Sequence, residues 1–158
     1  MVACGEDSGL NPSSEFFEQK EWMPAVSSFQ SDAISAMTAA RAQSRICGST
    51  NSPATHPLNW NLNLEQAALQ HLNDMAENNF FEHTGSDGSD VAFRVERTGY
   101  NYQTAGENLA IGVNTIDGAM AGWIKSPGHC ATLMGSQYQD FALATDGNLW
   151  VAVFGKTF

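Results

Sequence analysis

The sequence predicts an α+β protein in which a β-sheet lies between layers of helices. Two segments, about 31–46 and 62–79, repeat small or apolar residues at helical spacing over the length of an ordinary helix. Residues 139–154 have the pattern of two strands joined at Asp146-Gly147, a strong hairpin signal. Both faces of the second strand are apolar, so we expect helices to cover both.

The size and charge of the chain restrict its class. A length of 158 residues with 42% apolar residues suits one compact domain. The net charge of −10 argues against nucleic acid as a partner and against electrostatic docking on anionic lipid. No run approaches the roughly 20 apolar residues of a transmembrane helix. A signal-peptide apolar region is also missing, so we expect any export signal to have been removed. We expect a monomer.

The N-terminal residues differ in composition from the rest. Residues 5–25 are rich in Gly, Ser, Glu and Pro without a clear period, which is typical of a tether or a loosely docked arm. The segment 2–5 (Val-Ala-Cys-Gly) resembles the end of a bacterial lipoprotein signal, so Cys4 is a lipidation candidate. The alternative is a cysteine without a role. We therefore assign residues 1–25 to an arm or lipoprotein tether and 26–158 to the folded domain.

The two other cysteines each follow a helical pattern. Without a C-x-x-C spacing, a zinc ribbon or a thioredoxin motif is excluded. Two distant cysteines in an exported protein most often form a disulfide. We predict a bridge between Cys47 and Cys130.

The first long helix is predicted over residues 31–46. Ser31 is placed to act as its N-cap. Arg41 and Arg45 fall in the last turns, where cations complement the helix dipole, and Gly48 is expected to end the helix.

The second long helix is predicted over residues 62–79. Asn63 with Gln66 three positions later resembles a capping box. His71 lies beside the apolar stripe, where a histidine is more often packed and hydrogen-bonded than a metal ligand.

Shorter elements follow in the middle of the chain. A helix at about 90–98 carries Arg94, which we expect to pair with a loop carboxylate. Residues 100–102 indicate a short strand, and Glu107 lies in a segment of small residues that we interpret as a connection. Thr115 caps a predicted helix over 116–125.

A serine and a proline then restart the helical pattern. Ser126 at the N-cap and Pro127 at the first helical position are a strong start signal. His129 becomes about the third residue of this helix, where the positive helix end disfavours imidazolium. Neutral imidazole is the form that coordinates metals.

Three polar residues are the candidate site. His83, Glu107 and His129 lie more than twenty positions apart, each on its own Gly- or Pro-punctuated segment. That spacing predicts groups brought together by a fold. The alternative is a buried hydrogen-bonded network that only specifies the fold.

Short motifs occur in a characteristic order between residues 31 and 158. They are Leu58-Asn59-Trp60, Phe81-Glu82-His83-Thr84, Gly99-Tyr100, Gly106-Glu107-Asn108-Leu109-Ala110, Ser126-Pro127-Gly128-His129 and Trp150-Val151-Ala152-Val153-Phe154-Gly155. With these motifs the chain resembles the CAP superfamily (SCP/TAPS; cysteine-rich secretory protein, antigen 5, pathogenesis-related 1) in its bacterial, SCP-like extracellular form. The resemblance implies a three-layer α-β-α sandwich with an antiparallel sheet, formed by residues 26–158.

The resemblance also implies a cleft. Animal and plant members have two histidines and two acids there, and some bind zinc through the histidines. His83 and Glu107 match two of these positions, His129 is the best third member, and Asn148 stands where those members have a histidine. The implied ligand-binding cleft is His83, Glu107, His129 and Asn148. His83 and His129 are its metal ligands, and Zn²⁺ is the implied cofactor.

The function expected from this resemblance is binding. We expect an exported module, in the periplasm, on the outer membrane as a lipoprotein, or extracellular. It would hold a metal ion, a small ligand, a lipid or a cell-envelope component without catalysis. The alternative is a metal-dependent hydrolase with Glu107 as general base. The sequence has no His-Glu-x-x-His helix, no Gly-x-Ser-x-Gly elbow and no candidate cysteine nucleophile, which favours the binding module.

Overall fold

The computed structural model describes residues 27–158, which contain five helices and six strands. In chain order they are α1 (Ser28–Arg41), β1 (Arg45–Cys47), β2 (Thr50–Ser52), β3 (Asn59–Trp60), α2 (Leu62–Asn78), α3 (Val91–Arg97), β4 (Tyr102–Ile111), α4 (Ile116–Lys125), α5 (Pro127–Leu133), β5 (Asp140–Thr145) and β6 (Leu149–Thr157). None of these helices has the length and apolar character needed to cross a membrane. The predicted arm, 1–25, with its lipidation candidate Cys4, lies outside the described residues.

Four strands form the central sheet in the order β3-β5-β6-β4. The pairs β4–β6 and β5–β6 are antiparallel, but β3 pairs with β5 in parallel. The sheet is therefore antiparallel, as expected, except at this edge. β3 and β5 can pair in parallel because about 80 residues separate them. Parallel neighbours need such a long connection. β1 and β2 form a separate two-stranded hairpin.

Helices cover both faces of the sheet, which confirms the α-β-α sandwich. Alternate residues of β6 supply the two cores: Trp150, Ala152 and Phe154 pack with α1, α4 and α5. Val151 and Val153 pack on the opposite face with α2 and α3. The apolar character of both β6 faces predicted this arrangement, because each face needs a cover.

The first helix begins and ends earlier than the pattern predicted. Its N-cap is Ser27, whose hydroxyl accepts from the N–H of Gln30 at 3.1 Å, and Ser31 lies inside the helix. Ile46 belongs to β1, and Gly48, with φ +67°, forms the turn between β1 and β2. The prediction that the helix continues to Ile46 and ends at Gly48 was therefore wrong. The left-handed conformation that glycine favours occurs in tight turns as well as after helices.

Arg41 lies in the last turn of α1, as predicted, but its side chain is buried in the core. Its Nε donates to the carbonyl oxygen of His56 at 2.9 Å, and its Nη1 donates to those of Leu133 and Gly135 at 2.6 and 3.1 Å. Burial lowers the pKa of Arg41 to about 10, which leaves it cationic at neutral pH. The side chain thus fastens α1 to the chain before β3 and to the end of α5.

The second helix agrees with its predicted bounds but has a different cap. The side chain of Asn61 accepts from the N–H groups of Asn63 and Leu64 at 2.9 and 3.2 Å, so the capping box at Asn63 was wrong. Asn79 ends the helix in the left-handed conformation, with φ 54°. The side chains that follow this turn enter the site described below.

Glu107 lies on a strand, so the interpretation of its segment as a connection was wrong. β4 is a single ten-residue strand from Tyr102 to Ile111. Its small residues reflect packing, since a Cβ on Gly106 would collide with the hydroxyl of Tyr138. A sequence pattern of small residues does not distinguish such a packing requirement from a loop.

The predicted disulfide is confirmed. Cys47 and Cys130 are bonded, with their Cα atoms 5.3 Å apart. The bridge links β1 to α5 and closes a loop across 83 positions.

Candidate functional site

Glu107 is the buried centre of the candidate site. Its side chain is 2% exposed and points from β4 toward the face covered by α2 and α3. One carboxylate oxygen accepts from Nη2 of Arg94 at 2.8 Å, and the other lies 2.8 Å from Nδ1 of His83. Such a buried carboxylate needs these partners, because desolvation of an unpaired charge is costly.

Arg94 was missed as a member of the site. We expected it to pair with a loop carboxylate, but it pairs with Glu107, while Arg97 takes the loop residue Asp87 at 2.8 Å. Arg94 also donates to the carbonyl oxygens of Ser89 at 2.8 Å and His83 at 3.0 Å. The guanidinium therefore holds both Glu107 and the loop that carries His83.

His83 is the exposed end of this network. Its side chain is 61% exposed, and Nδ1 contacts the Glu107 carboxylate. Because a carboxylate accepts hydrogen bonds, Nδ1 carries the proton and Nε2 is left with its lone pair when the ring is neutral. The hydrogen bond that His83 donates to Glu107 raises the pKa of His83 above the ordinary value of 6.5.

The loop that carries His83 is held by its own polar contacts. On α2, the carboxylate of Asp74 accepts from the N–H of Ser86 at 2.8 Å. At the other end of the loop, Asp90 caps α3 by accepting from the N–H of Phe93 at 2.8 Å. His83 therefore lies on a segment with few alternative positions.

His71 lies behind the carboxylate. It is buried, and its Nε2 donates to the carbonyl oxygen of Glu82 at 2.9 Å, which confirms the packed, hydrogen-bonded role expected for it. The same nitrogen is 3.9 Å from Glu107. Burial lowers the pKa of His71, so the ring is neutral at pH 7.

His129 approaches the same strand from the other face. It is the third residue of α5, as expected, and its Nδ1 is 2.9 Å from the hydroxyl of Ser126. Its main-chain carbonyl oxygen accepts from the side-chain amide of Asn108 at 2.9 Å. Burial, followed by the charge of His83, lowers the pKa of His129, so neutral imidazole is favoured. Glu107 and Asn108 are consecutive and point to opposite faces, so His83 and His129 flank the edge of β4.

The structure brings together some of the predicted site residues. His83 and Glu107 are in direct contact, and His129 is on the far side of the strand. Asn148 lies apart, in the turn before β6, where it lines a depression of about 450 Å³ with Phe80 and Phe81. Val153 is the residue of β6 that pairs with Glu107. Asn148 lies five positions before Val153, which corresponds to roughly 16 Å along a strand.

The donor set limits which metal ions these side chains could hold. Within residues 27–158, no group of three or more His, Cys, Asp or Glu side chains is arranged to hold a metal ion. The two imidazoles supply at most two nitrogen ligands, so solvent would complete the coordination of Zn²⁺. Glu107 fits the role of an outer partner that orients a ligating histidine, because it holds Nδ1 of His83 and leaves Nε2 free.

The pKa of His83 predicts a pH dependence of stability. Its pKa is higher in the folded than in the unfolded state, so the folded protein binds more protons between the two values. The stabilisation is full below about pH 6.5 and is lost as the pH rises through the raised pKa. We expect the urea midpoint of the wild type to exceed that of His83→Gln by more at pH 5.5 than at pH 8.5. His56→Gln, at an exposed position, is the control; equal differences for both variants would contradict the assignment.

Comparison with known proteins agrees with the fold described above. The model of the cysteine-rich secretory protein family, CAP, matches residues 35–153. Among curated proteins, the chain is 34% identical over 101 residues to the uncharacterized membrane protein YlbC of Bacillus subtilis (63% of this chain, 29% of that protein). It is 26% identical over 100 residues to YkwD, an uncharacterized protein of the same species (62% and 39%). The chain thus spans less than half of either relative.

Solved structures share the fold. An extracellular protein containing an SCP domain from Bacillus anthracis matches with a TM-score of 0.63 and 26% identity, over 65% of this chain and 35% of that chain. An outer surface protein from Borrelia burgdorferi matches with a TM-score of 0.61 and 23% identity, over 66% and 80%. The family model covers most of the chain, including the strand that holds Glu107 and the helix that holds His129. The chain therefore belongs to the cysteine-rich secretory protein (CAP) family.

Proposed function

We propose that this chain is an exported binding module whose cleft holds a metal ion or a small polar ligand between His83 and His129. The observation that carries the proposal is the difference in side-chain exposure along the hydrogen-bonded residues Arg94, Glu107 and His83. Arg94 and Glu107 have side chains only 2% exposed, whereas the His83 side chain that they hold is 61% exposed. If His83 served folding alone, two buried charged residues would not be needed to hold its side chain in solvent.

Export is proposed from the relatives. One structural neighbour is described as extracellular and another as an outer surface protein. The disulfide between Cys47 and Cys130 supports an oxidising compartment, where such bonds persist. The periplasm, the outer membrane and the extracellular space all satisfy this condition.

The hydrolase alternative is less well supported by the geometry. A general base must reach the proton that it abstracts. Both carboxylate oxygens of Glu107 already have partners, and the side chain is nearly inaccessible. Glu107 therefore suits the positioning of His83 better than proton transfer to a substrate.

Zinc titration tests the proposed cleft. We expect calorimetry at pH 7.5 to show modest zinc affinity for the wild type, because two imidazole nitrogens form an unsaturated site. His83→Ala and His129→Ala are each expected to weaken binding at least tenfold. Affinity should also fall as the pH drops through the raised pKa of His83, because protons compete for its imidazole.

The control for zinc titration is His56→Ala. His56 is an exposed histidine away from β4, with its Nε2 near the carbonyl oxygen of Tyr138. Zinc binding that is equal in wild type and His83→Ala would refute the metal site. Loss of binding in His56→Ala alone would place the metal elsewhere.

Lipidation of Cys4 is proposed from the lipoprotein-like segment 2–5. Two or more acyl chains give stable membrane anchoring, and residues 5–25 would then space the domain from the membrane. We expect the native protein to incorporate a palmitate analogue and to enter the detergent phase of a phase separation. Cys4→Ser should abolish both. Complete partitioning of the unlabelled native protein into water would exclude the anchor.

A further inference from the structure

We propose that the edge of β4 at Ala105 and Glu107, which no other strand of residues 27–158 covers, binds an extended peptide segment of a partner protein as an added strand. This inference goes beyond the proposed function, because the strand edge lies beside the cleft between His83 and His129 but would bind a peptide rather than a metal ion or a small polar ligand. It is carried by the direction of main-chain hydrogen bonds, by the exposure of the strand edge and by the groups beside it.

The register of β4 and β6 shows which peptide groups face away from the sheet. Gly112 donates its N–H to the carbonyl oxygen of Asn148 at 3.1 Å and continues the register in which Ile111 faces Leu149. In an antiparallel pair, such residues alternate with residues whose peptide groups point outward. The outward-facing residues of β4 are therefore Ala105, Glu107, Leu109 and Ile111.

An independent contact supports this assignment. The indole N–H of Trp123 donates to the carbonyl oxygen of Leu109 at 2.9 Å, which requires that oxygen to face away from β6. Trp123 thus closes one end of the edge. At the other end, the register is irregular between Tyr102 and Thr104, a device that ends strand pairing. The stretch from Ala105 to Glu107 lies between these two limits.

Solvent reaches the main chain in this stretch. Glu107 as a whole residue is 8% exposed, but its side chain is only 2% exposed, so most of its accessible surface belongs to the backbone. Ala105 and Gly106 are half-buried and too small to cover the edge. Natural edges are commonly protected by charged side chains or proline. The segment 103–106 carries neither.

The main-chain groups at this strand edge suit a peptide ligand. Ala105 and Glu107 offer two N–H donors and two carbonyl acceptors at the spacing of a β-strand, which another extended main chain matches. Alternate side chains of the added strand would point toward His83 on one face and His129 on the other. Because main-chain bonds supply the affinity, weak sequence preference is expected.

Titration of the full-length ¹⁵N-labelled chain with acetyl-Thr-Val-Thr-Val-Thr-amide tests the proposal. We expect saturable shifts of the Ala105 and Glu107 amide resonances and at least tenfold slower hydrogen exchange of both. The amides of Gly106 and Asn108, which face β6, should already exchange slowly without peptide. The same peptide with every amide N-methylated lacks donors and should bind at least tenfold more weakly.

A matched pair of variants tests the position. Ala105→Pro removes an outward N–H without removing a bond to β6, and Ile111→Pro does the same outside the proposed stretch. We expect Ala105→Pro to abolish peptide binding and Ile111→Pro to preserve it. The N-methylated peptide keeps the proposal testable if a proline variant does not fold.

Several outcomes would overturn the proposal. One is that zinc shifts the resonances of His83 but the peptide has no effect on the amides of Ala105 and Glu107. That result would contradict the peptide site and leave the proposed function standing. Protection of both amides without peptide at every protein concentration would mean that another part of this chain covers the edge. Protection that appears only on concentrating the protein would identify a second copy as the occupant.

Discussion

Replacement of Arg94 by methionine is expected to lower the free energy of unfolding by about 3–5 kcal/mol, the cost of breaking a buried ion pair by removing one partner. Both side chains of the Arg94–Glu107 pair are 2% exposed, and their atoms are 2.8 Å apart. The substitution leaves the Glu107 carboxylate buried without its arginine, and His83 is its remaining close partner. It also removes the donor to the carbonyl oxygens of Ser89 and His83. Urea unfolding at pH 7 measures the change.

The matched control is Arg97→Met on the same helix. Arg97 and Asp87 are also 2.8 Å apart, but their side chains are 42% and 50% exposed. An exposed pair contributes roughly 0–1 kcal/mol, so we expect a loss within that range. Equal losses for the two arginine variants would contradict the importance of burial.

A double variant separates the unpaired charge from lost packing. Arg94→Met combined with Glu107→Leu removes both charges from the buried pair. Apolar replacement of a buried ion pair is often neutral or stabilising, so we expect the double variant to be more stable than Arg94→Met alone. The His83 imidazole loses its partner in the double variant, and its pKa should fall toward the ordinary value. An NMR titration of the His83 ring measures that shift.

Removal of the disulfide is expected to destabilise the protein by about 4.5 kcal/mol in the chain-entropy model, since the bridge closes a loop across 83 positions. The variant is Cys47→Ala with Cys130→Ala, compared with the wild type in urea. Cys130 is fully buried and Cys47 nearly so, and alanine leaves a small volume unfilled at each position. We therefore expect a loss within about 2–5 kcal/mol, the range for native disulfides in small secreted domains.

Reduction of the wild type is the independent control. Under a reductant, the unfolding curve of the wild type should approach that of the double cysteine variant, while the variant's own curve should not move. A reductant-sensitive variant would show that the effect has another source. Because Cys130 follows His129 in α5, we also expect the variant to bind zinc less tightly than the oxidised wild type.

Local sequence signals were sufficient for much of the fold. The start of α5 at Pro127, the cap of α4 at Thr115 and the hairpin turn at Asp146 depend on backbone preferences within a few residues. The apolar faces of β6 required two helical layers. The family-specific motifs predicted the α-β-α sandwich. The presence of Cys47 and Cys130 predicted the disulfide.

Errors occurred where side chains at distant positions decide the local structure. Arg41 lies at a helix end, as predicted, but the sequence did not reveal that its partners are carbonyl groups up to 94 positions away. The segment around Gly106 looked like a loop, because the ring of Tyr138 that requires a glycine there lies in another part of the chain. The partner of β3 is likewise distant in sequence.

The candidate site was only partly predictable for the same reason. His83, Glu107 and His129 were identified as polar residues in small or apolar surroundings, but Arg94 was assigned to a nearby carboxylate. A carboxylate on a strand buried from solvent requires a cation, and this signal appears only when the segment around Glu107 is recognised as a strand. The sequence by itself determined the layers, the disulfide and the residue types of the candidate site. The tertiary structure decided which charges meet, which histidine is exposed and which strand edge is open, because burial and long-range pairing are properties of the whole packed chain.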